Sequence, residues 1–191
     1  AHVGAMTKLA WQLTAGTTLH LVDRWDAGEV LALVDRYQVS AVTGVAAQVA
    51  LMLNDPTFDD YDFTHVEAVV VGGGPSPPDL VAEARRRFGA PYSNRYSSTE
   101  SGGIGLATAL NADDDEALHT VGRPRPGVNA EVRDDVGRPL GPGEVGELWL
   151  QTASAMTGYW QDPQATDVTI VDGWLRSGDL ARVDERGCYH L

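Results

Sequence analysis

Residues 68–88 read AVVVGGGPSPPDLVAEARRRF, and this pattern decides the fold class. Ala68 to Val71 form an unbroken apolar run, as in a strand covered on both faces, and Gly72-Gly73-Gly74 ends it. Pro77-Pro78 then opens a helix in which Leu80, Ala84 and Phe88 recur at i, i+4 and i+8. Arg85-Arg86-Arg87 falls in its last turn, where cations complement the helix macrodipole. A buried strand feeding a helix is the unit of a parallel sheet flanked by helices, and such sheets bind ligands beyond their strands' carboxyl ends.

The sequence upstream repeats the alternation. Residues 4–15 suit a helix stopped near Gly16, and Thr17 to Val22 suit a short strand. Asp26-Ala27-Gly28-Glu29 is a capping-box-like start for a helix carrying Val30, Leu31, Leu33 and Val34. Ser40 to Thr43 suits a buried strand, and residues 46–53 another helix. Beyond Gly122 the elements shorten. Val128 to Arg133, Gly146 to Leu150 and Leu180 to Val183 are strand-like runs divided by Gly, Pro and Asp turns. The expected architecture is therefore α/β, with a largely parallel sheet flanked by helices over residues 1–125 and a small antiparallel β subdomain over residues 126–191. Asp113-Asp114-Asp115-Glu116 lacks the spaced ligands of a calcium loop and reads as a solvated loop.

Composition narrows the function classes. Of the 191 residues 43% are hydrophobic and 21% charged, a globular balance that excludes disordered, collagen-like and coiled-coil classes. The formal net charge of −13 repels phosphate backbones and anionic membrane surfaces, so no nucleic-acid partner is expected. Cys188 is the only cysteine, which rules out an intrachain disulfide or a Cys-based zinc site and fits a reducing, cytoplasmic compartment. The longest charge-free stretch, Tyr37 to Leu53, is interrupted by polar residues and falls short of the roughly 20 apolar residues of a membrane span. No transmembrane segment and no signal peptide are expected. Ala1 stands where an initiator would, and Cys188-Tyr189-His190-Leu191 reads like an interrupted strand, so the chain is expected to be the middle of a longer one. A sheet cut in this way exposes edges, which favours a homo-oligomer.

Three short segments concentrate chemistry. Tyr96-Ser97-Ser98-Thr99-Glu100 packs an aromatic face, three hydroxyls and a carboxylate into five residues, enough to stack a base, bond phosphate and hold magnesium. The same residues also describe a polar loop with a half-buried tyrosine. Gly72-Gly73-Gly74-Pro75 permits positive φ and close approach of backbone to a flat ligand, or it is simply a strand-to-helix turn. In Trp174-Leu175-Arg176-Ser177-Gly178-Asp179-Leu180 a carboxylate follows a Ser-Gly turn, where it can accept both hydroxyls of a ribose or cap its own backbone.

Taken in order, these segments together with Gly122-Arg123-Pro124, Gly146-Glu147-Leu148 and Gly158-Tyr159-Trp160 make a chain that resembles, along essentially its whole length, the adenylate-forming superfamily. That superfamily contains acyl-CoA synthetases, luciferases and peptide-synthetase adenylation domains. The resemblance implies that Gly72, Gly73 and Gly74 lie against adenine, with Tyr96 on its other face and Asn94 near the base edge. It further implies that Thr99 binds phosphate, Glu100 ligates magnesium and Asp179 holds the ribose hydroxyls. His2, Ser97 and Gly102 would line the acyl pocket. Ser97 stands where glycine is usual, Ser177 where threonine is usual, and Thr152 where glycine is common.

The implied activity is that of an acyl-CoA synthetase, in which a small-molecule carboxylic acid and ATP give an acyl-adenylate that is passed to CoA. ATP/AMP, Mg2+ and CoA are the implied cofactor and co-substrates. The family's lysine-bearing phosphate loop, hinge arginine and C-terminal lysine have no counterpart in these residues, so the 191-residue chain alone is expected to be inactive. The alternatives are an adenylation domain that loads a carrier protein and a non-catalytic nucleotide-binding fragment.

Overall fold

A computed structural model of the chain describes Leu9 and residues 12–191. It contains two compact units. One comprises Asp23–Tyr96 and Ala107–Arg123; the other comprises Ser97–Leu106 and Pro124–Leu191 with the described part of the segment ending at Val22.

The first unit alternates strands and helices: α1 (Ala27–Arg36), β1 (Ala41–Gly44), α2 (Ala46–Leu53), β2 (Ala68–Gly72), α3 (Pro78–Phe88) and β3 (Tyr92–Tyr96). β1 pairs with β2 and β2 with β3, both in parallel, and the short strands β4 (Leu106–Ala107) and β5 (Arg123–Pro124) complete the order β1-β2-β3-β4-β5. Side chains from the helices and from the sheet build one core. Leu31 and Val34 come from α1, Val49 and Met52 from α2, Val69 and Val71 from β2, and Val81, Ala84 and Phe88 from α3. The inward face of α3 thus leads with Val81, while Leu80 is only partly buried. Phe58, Phe63 and Phe88 meet with centroids 4.7–5.1 Å apart, an arrangement that favours tilted and edge-on contacts.

Caps and charges fix the helix ends. Asp26 Oδ1 accepts from Glu29 N at 3.1 Å, as the capping pattern requires, and Gln48 Oε1 accepts from Val45 N. The arginines of α3 do more than complement its dipole. Arg85 pairs with Asp114 at 2.5 Å, Arg86 with Glu83, and Arg87 reaches Asp59 and the Leu53 carbonyl while lying 3.9 Å over the Phe58 ring.

Three expectations need correction in this unit and the segment before it. Thr17 to Val22 is not a strand: Leu21 is 85% exposed, and the segment carries no regular structure. β1 begins one residue later than expected and buries only Val42, because it is the first strand of the sheet order and has β2 on one side. The acidic run is not a solvated loop. Asp113 caps α4 (Asp114–His119) by accepting from Glu116 N at 2.9 Å, and Glu116 itself is 4% exposed.

The second unit is antiparallel, with β6 (Val128–Arg133), β7 (Gly146–Thr152), β9 (Trp174–Val183) and β10 (Tyr189–His190) in the order β10-β9-β7-β6. α5 (Pro163–Thr169), capped by Asp162, leads into β8 (Ile170–Val171), which pairs with β9. Val128, Val132, Leu148, Leu150, Leu175, Ala181 and Tyr189 fill its interior, and Cys188 is buried as well. β9 starts at Trp174 rather than Leu180, so Ser177-Gly178 is not a turn between elements. Glu147 faces Leu180 and Trp149 faces Arg176, leaving Ser177, Gly178 and Asp179 opposite the single residue Leu148. That is a β-bulge, and it carries Asp179 out of the ladder.

Candidate functional site

In the α/β unit the glycine turn and Tyr96 leave neighbouring strands at the same end. Gly72 ends β2 opposite Arg95 of β3, so Gly73 and Tyr96 are the next residues out on each strand. Gly73 takes φ +79°, and Tyr96 is half-buried. The turn is tied back by Ser76 Oγ, 3.0 Å from Tyr92 OH; burial raises the Tyr92 phenol above its ordinary pKa. A flat ligand at this end would meet glycine backbone and a tyrosine ring, as the sequence pattern suggests.

Asn94, expected near a base edge, lies on β3 two residues before Tyr96. The side chain is buried, and Nδ2 donates to Ala117 O at 3.2 Å and Thr120 O at 3.4 Å. Its amide hydrogens therefore anchor α4. They satisfy helix-end carbonyls that would otherwise be buried without donors.

The second unit holds the carboxylates. Ser97 and Thr99 are exposed, while Ser98 and Ser101 clasp each other: Ser101 N donates to Ser98 Oγ and Ser98 N to Ser101 Oγ, both at 3.0 Å. Gly102 follows at φ +68° against the Ser154 carbonyl, where any Cβ would collide. This turn aims Glu100 into a cleft of about 380 Å³ lined by Ser98, Glu100, Glu147, Tyr159, Arg176 and Ser177 among others. Glu100 Oε1 accepts from Tyr159 OH at 3.0 Å, and Met156 N donates to the Glu100 carbonyl at 2.7 Å. Its own backbone N–H, then the hydroxyls of Tyr159 and Ser98, hold the Glu100 carboxyl below its ordinary pKa against the opposing effect of burial. The same bond, with burial and the nearby charge, raises the Tyr159 phenol. Glu100 is thus an ionised, oriented acceptor at neutral pH.

Among the described residues no cluster of three or more His, Cys, Asp or Glu side chains that could hold a metal ion occurs. Magnesium is commonly held by one or two carboxylates, with phosphate and water oxygens completing its shell, and Glu100 fits that arrangement. Glu147, in contrast, faces Arg176 at 2.8 Å. Asp179 is exposed on the bulge, with its backbone N donating to Ser177 Oγ at 3.1 Å. His2 lies outside the described residues. Tyr159, Ser101 and Glu147 were not identified from the sequence as parts of a site; spacing gives no sign that Tyr159 meets a residue 59 positions earlier.

Residues 1–160 match the family described as AMP-binding enzyme. A fatty acid–[acyl-carrier-protein] ligase of Streptomyces coeruleorubidus is 32% identical over 97% of this chain and 36% of its own length. A medium/long-chain-fatty-acid–CoA ligase of Mycobacterium tuberculosis is 31% identical over 100% of this chain and 33% of its own. An amide bond synthetase from Marinactinospora thermotolerans superposes with TM-score 0.87 at 35% identity, covering 94% of this chain and 36% of that one. The O-succinylbenzoate coenzyme A synthetase of Bacillus subtilis, solved with ATP and a magnesium ion, gives TM-score 0.87 at 25% identity over 99% and 38%. The chain therefore spans about a third of the length of the curated relatives it matches.

Proposed function

Because the chain belongs to the AMP-binding enzyme family, we propose that it forms part of an ATP-dependent acid–thiol ligase that joins a fatty or aromatic carboxylic acid to coenzyme A. The observation that carries this reading is the pair of strand ends at which Gly72 faces Arg95, since it brings the glycine turn and Tyr96 out side by side. Tyr96 stacks on adenine with Gly72, Gly73 and Gly74 against the other face. Asp179 accepts the ribose hydroxyls, Thr99 donates to phosphate, and Glu100 holds magnesium. His2, Ser97 and Gly102 contribute to the acyl pocket.

The substrate carboxylate attacks the α-phosphorus in line, forming an acyl-adenylate as the bond to pyrophosphate breaks. The thiol of CoA then attacks the acyl carbon, losing its proton and releasing AMP. Magnesium, when bound, neutralises charge on the phosphate oxygens. This chain's share is positioning: Tyr96 and Asp179 fix the nucleoside, and Glu100, already ionised and oriented by Tyr159, needs little rearrangement before it meets the metal.

A carrier protein as the acyl acceptor is the second reading, favoured by the relative from Streptomyces coeruleorubidus, which is named for that acceptor. No helix among the described residues is long and apolar enough to cross a membrane. The test is pyrophosphate release by the whole protein with MgATP and a panel of carboxylic acids, followed by thioester assays with CoA and with a phosphopantetheinylated carrier protein. Acid-dependent pyrophosphate release with CoA thioester is expected, and release without any acid dependence overturns the reading. The 191 residues alone are expected to release no pyrophosphate above a protein-free control.

A further inference from the structure

The geometry points to Glu147 as a positioning residue that holds the Ser177–Asp179 bulge in the shape by which Asp179 meets a ribose; this rests on the role proposed above for Asp179. Gly146-Glu147-Leu148 marks the family resemblance, yet none of the roles assigned so far uses Glu147. The problem it solves is created by the bulge. Three residues of β9 face one residue of β7, so the regular ladder cannot pair every backbone group along this stretch. Gly178, at φ +77°, turns its N–H to Glu147 Oε1 at 3.1 Å, and the side-chain carboxylate takes the place of the missing strand carbonyl.

The other carboxylate oxygen is held on three sides. Glu147 Oε2 accepts from Arg176 Nε at 3.0 Å, from Arg176 Nη2 at 2.8 Å and from Trp149 Nε1 at 3.2 Å. Charge-assisted bonds of this kind are shorter and stiffer than neutral ones, and the Glu147 side chain is only 18% exposed. Behind it stands a ladder of rings and cations. Arg133 lies 4.5 Å from the Trp149 ring and 4.4 Å from the Trp174 ring, and Arg176 lies 5.4 Å over Trp149. The strands β6, β7 and β9 each supply a member, so the brace is anchored across the sheet rather than within the loop. A loop carrying a ligand carboxylate is thereby fixed before the ligand arrives, which lowers the ordering cost of binding.

The test compares Glu147→Ala, Glu147→Gln and Asp179→Asn with the unaltered chain by two readouts. One is the hydrogen-exchange rate of the Gly178 amide without ligand. The other is the ratio of calorimetric affinities for AMP and 2′,3′-dideoxy-AMP, which lacks both ribose hydroxyls. Glu147→Ala should speed Gly178 exchange about tenfold or more, as expected for loss of a bond to a charged acceptor, and bring the nucleotide ratio near that of Asp179→Asn. Glu147→Gln, which keeps an oxygen acceptor but not the charge, should fall between; it stands in for the alanine variant if that fails to fold. Wild-type Gly178 exchange together with a wild-type nucleotide ratio in the Glu147 variants overturns the proposal, as does faster exchange with the ratio unmoved. If Asp179→Asn leaves the ratio unchanged, or the unaltered chain shows no preference for AMP, the ribose assignment of Asp179 fails instead. The brace itself is then decided by Gly178 exchange, and an unchanged rate in Glu147→Ala overturns it.

Discussion

Glu116 and Glu147 each face an arginine, yet they sit in regions built for different ends. Glu116 is enclosed in the α/β unit, where its oxygens meet Arg123 and, at 3.1 Å, the backbone N of Ala109. Glu147 lines the cleft of the β-rich unit, beside Glu100 and the bulge that carries Asp179. In the first region polar groups turn inward and close the fold, as Asn94 also does by holding α4. In the second they hold loops in place at an open surface and keep acceptors facing outward. The difference teaches that a charged pair is a guide to function only when something beyond its own partners is left for a ligand to meet.

Substitutions can break that contrast, and the largest effect is expected in the enclosed region. Arg123→Ala leaves the Glu116 charge buried without its arginine, which should cost about 3 kcal/mol of stability in urea unfolding. Nucleotide affinity measured below the unfolding transition should barely change. A loss of affinity with unchanged stability would reverse the roles assigned to the two regions.

Next in size is Tyr96→Ala, expected to weaken ATP binding by about 1–3 kcal/mol by analogy with base stacking on aromatic side chains, while Tyr96→Phe keeps most of the affinity. Equal losses from the two variants would assign the effect to the hydroxyl and remove stacking from the account.

The smallest effect sharpens the contrast through pH. Tyr159→Phe removes a hydroxyl that helps hold the Glu100 carboxyl below its ordinary pKa, so that carboxyl should titrate higher. A depressed carboxylate contributes stability above its unfolded pKa of about 4.3 and loses it as pH falls through the lower folded value. The acid limb of the stability profile, followed by urea midpoints between about pH 3 and 6, should therefore move to higher pH in the variant. An acid limb that does not move would show that Tyr159 is not helping to hold the carboxylate.

How much of this was legible in the sequence follows the same division. The α/β core was readable because apolar runs and helical spacing report burial directly: β2, α2 and α3 lie where Ala68 to Val71, residues 46–53 and the Pro77-Pro78 start place them. Thr17 to Val22 has the composition of a strand without forming one, because β-rich composition makes a strand only where a partner edge is available. The acidic run at Asp113 hid a cap and a buried ion pair, since Arg123 arrives from beyond the helix that the run begins. In the second unit the motif residues Glu100 and Asp179 were visible as residue types, but their supports were not. Tyr159 and Glu147 act through contacts that only the folded sheet creates, and a bulge with two extra residues leaves no periodic mark.

The most direct test is pyrophosphate exchange by the whole protein carrying Glu100→Gln, followed across magnesium concentrations alongside AMP affinity and the urea midpoint. The variant keeps the shape of the side chain and removes its charge. Exchange should fall by about 10²-fold or more, as for loss of one preorganised electrostatic contact to the reacting groups, while AMP affinity and the midpoint stay close to those of the unaltered protein. Unchanged exchange at limiting magnesium would contradict the assignment of Glu100 to the metal, and with it the reading of the cleft as the phosphate end of a nucleotide site.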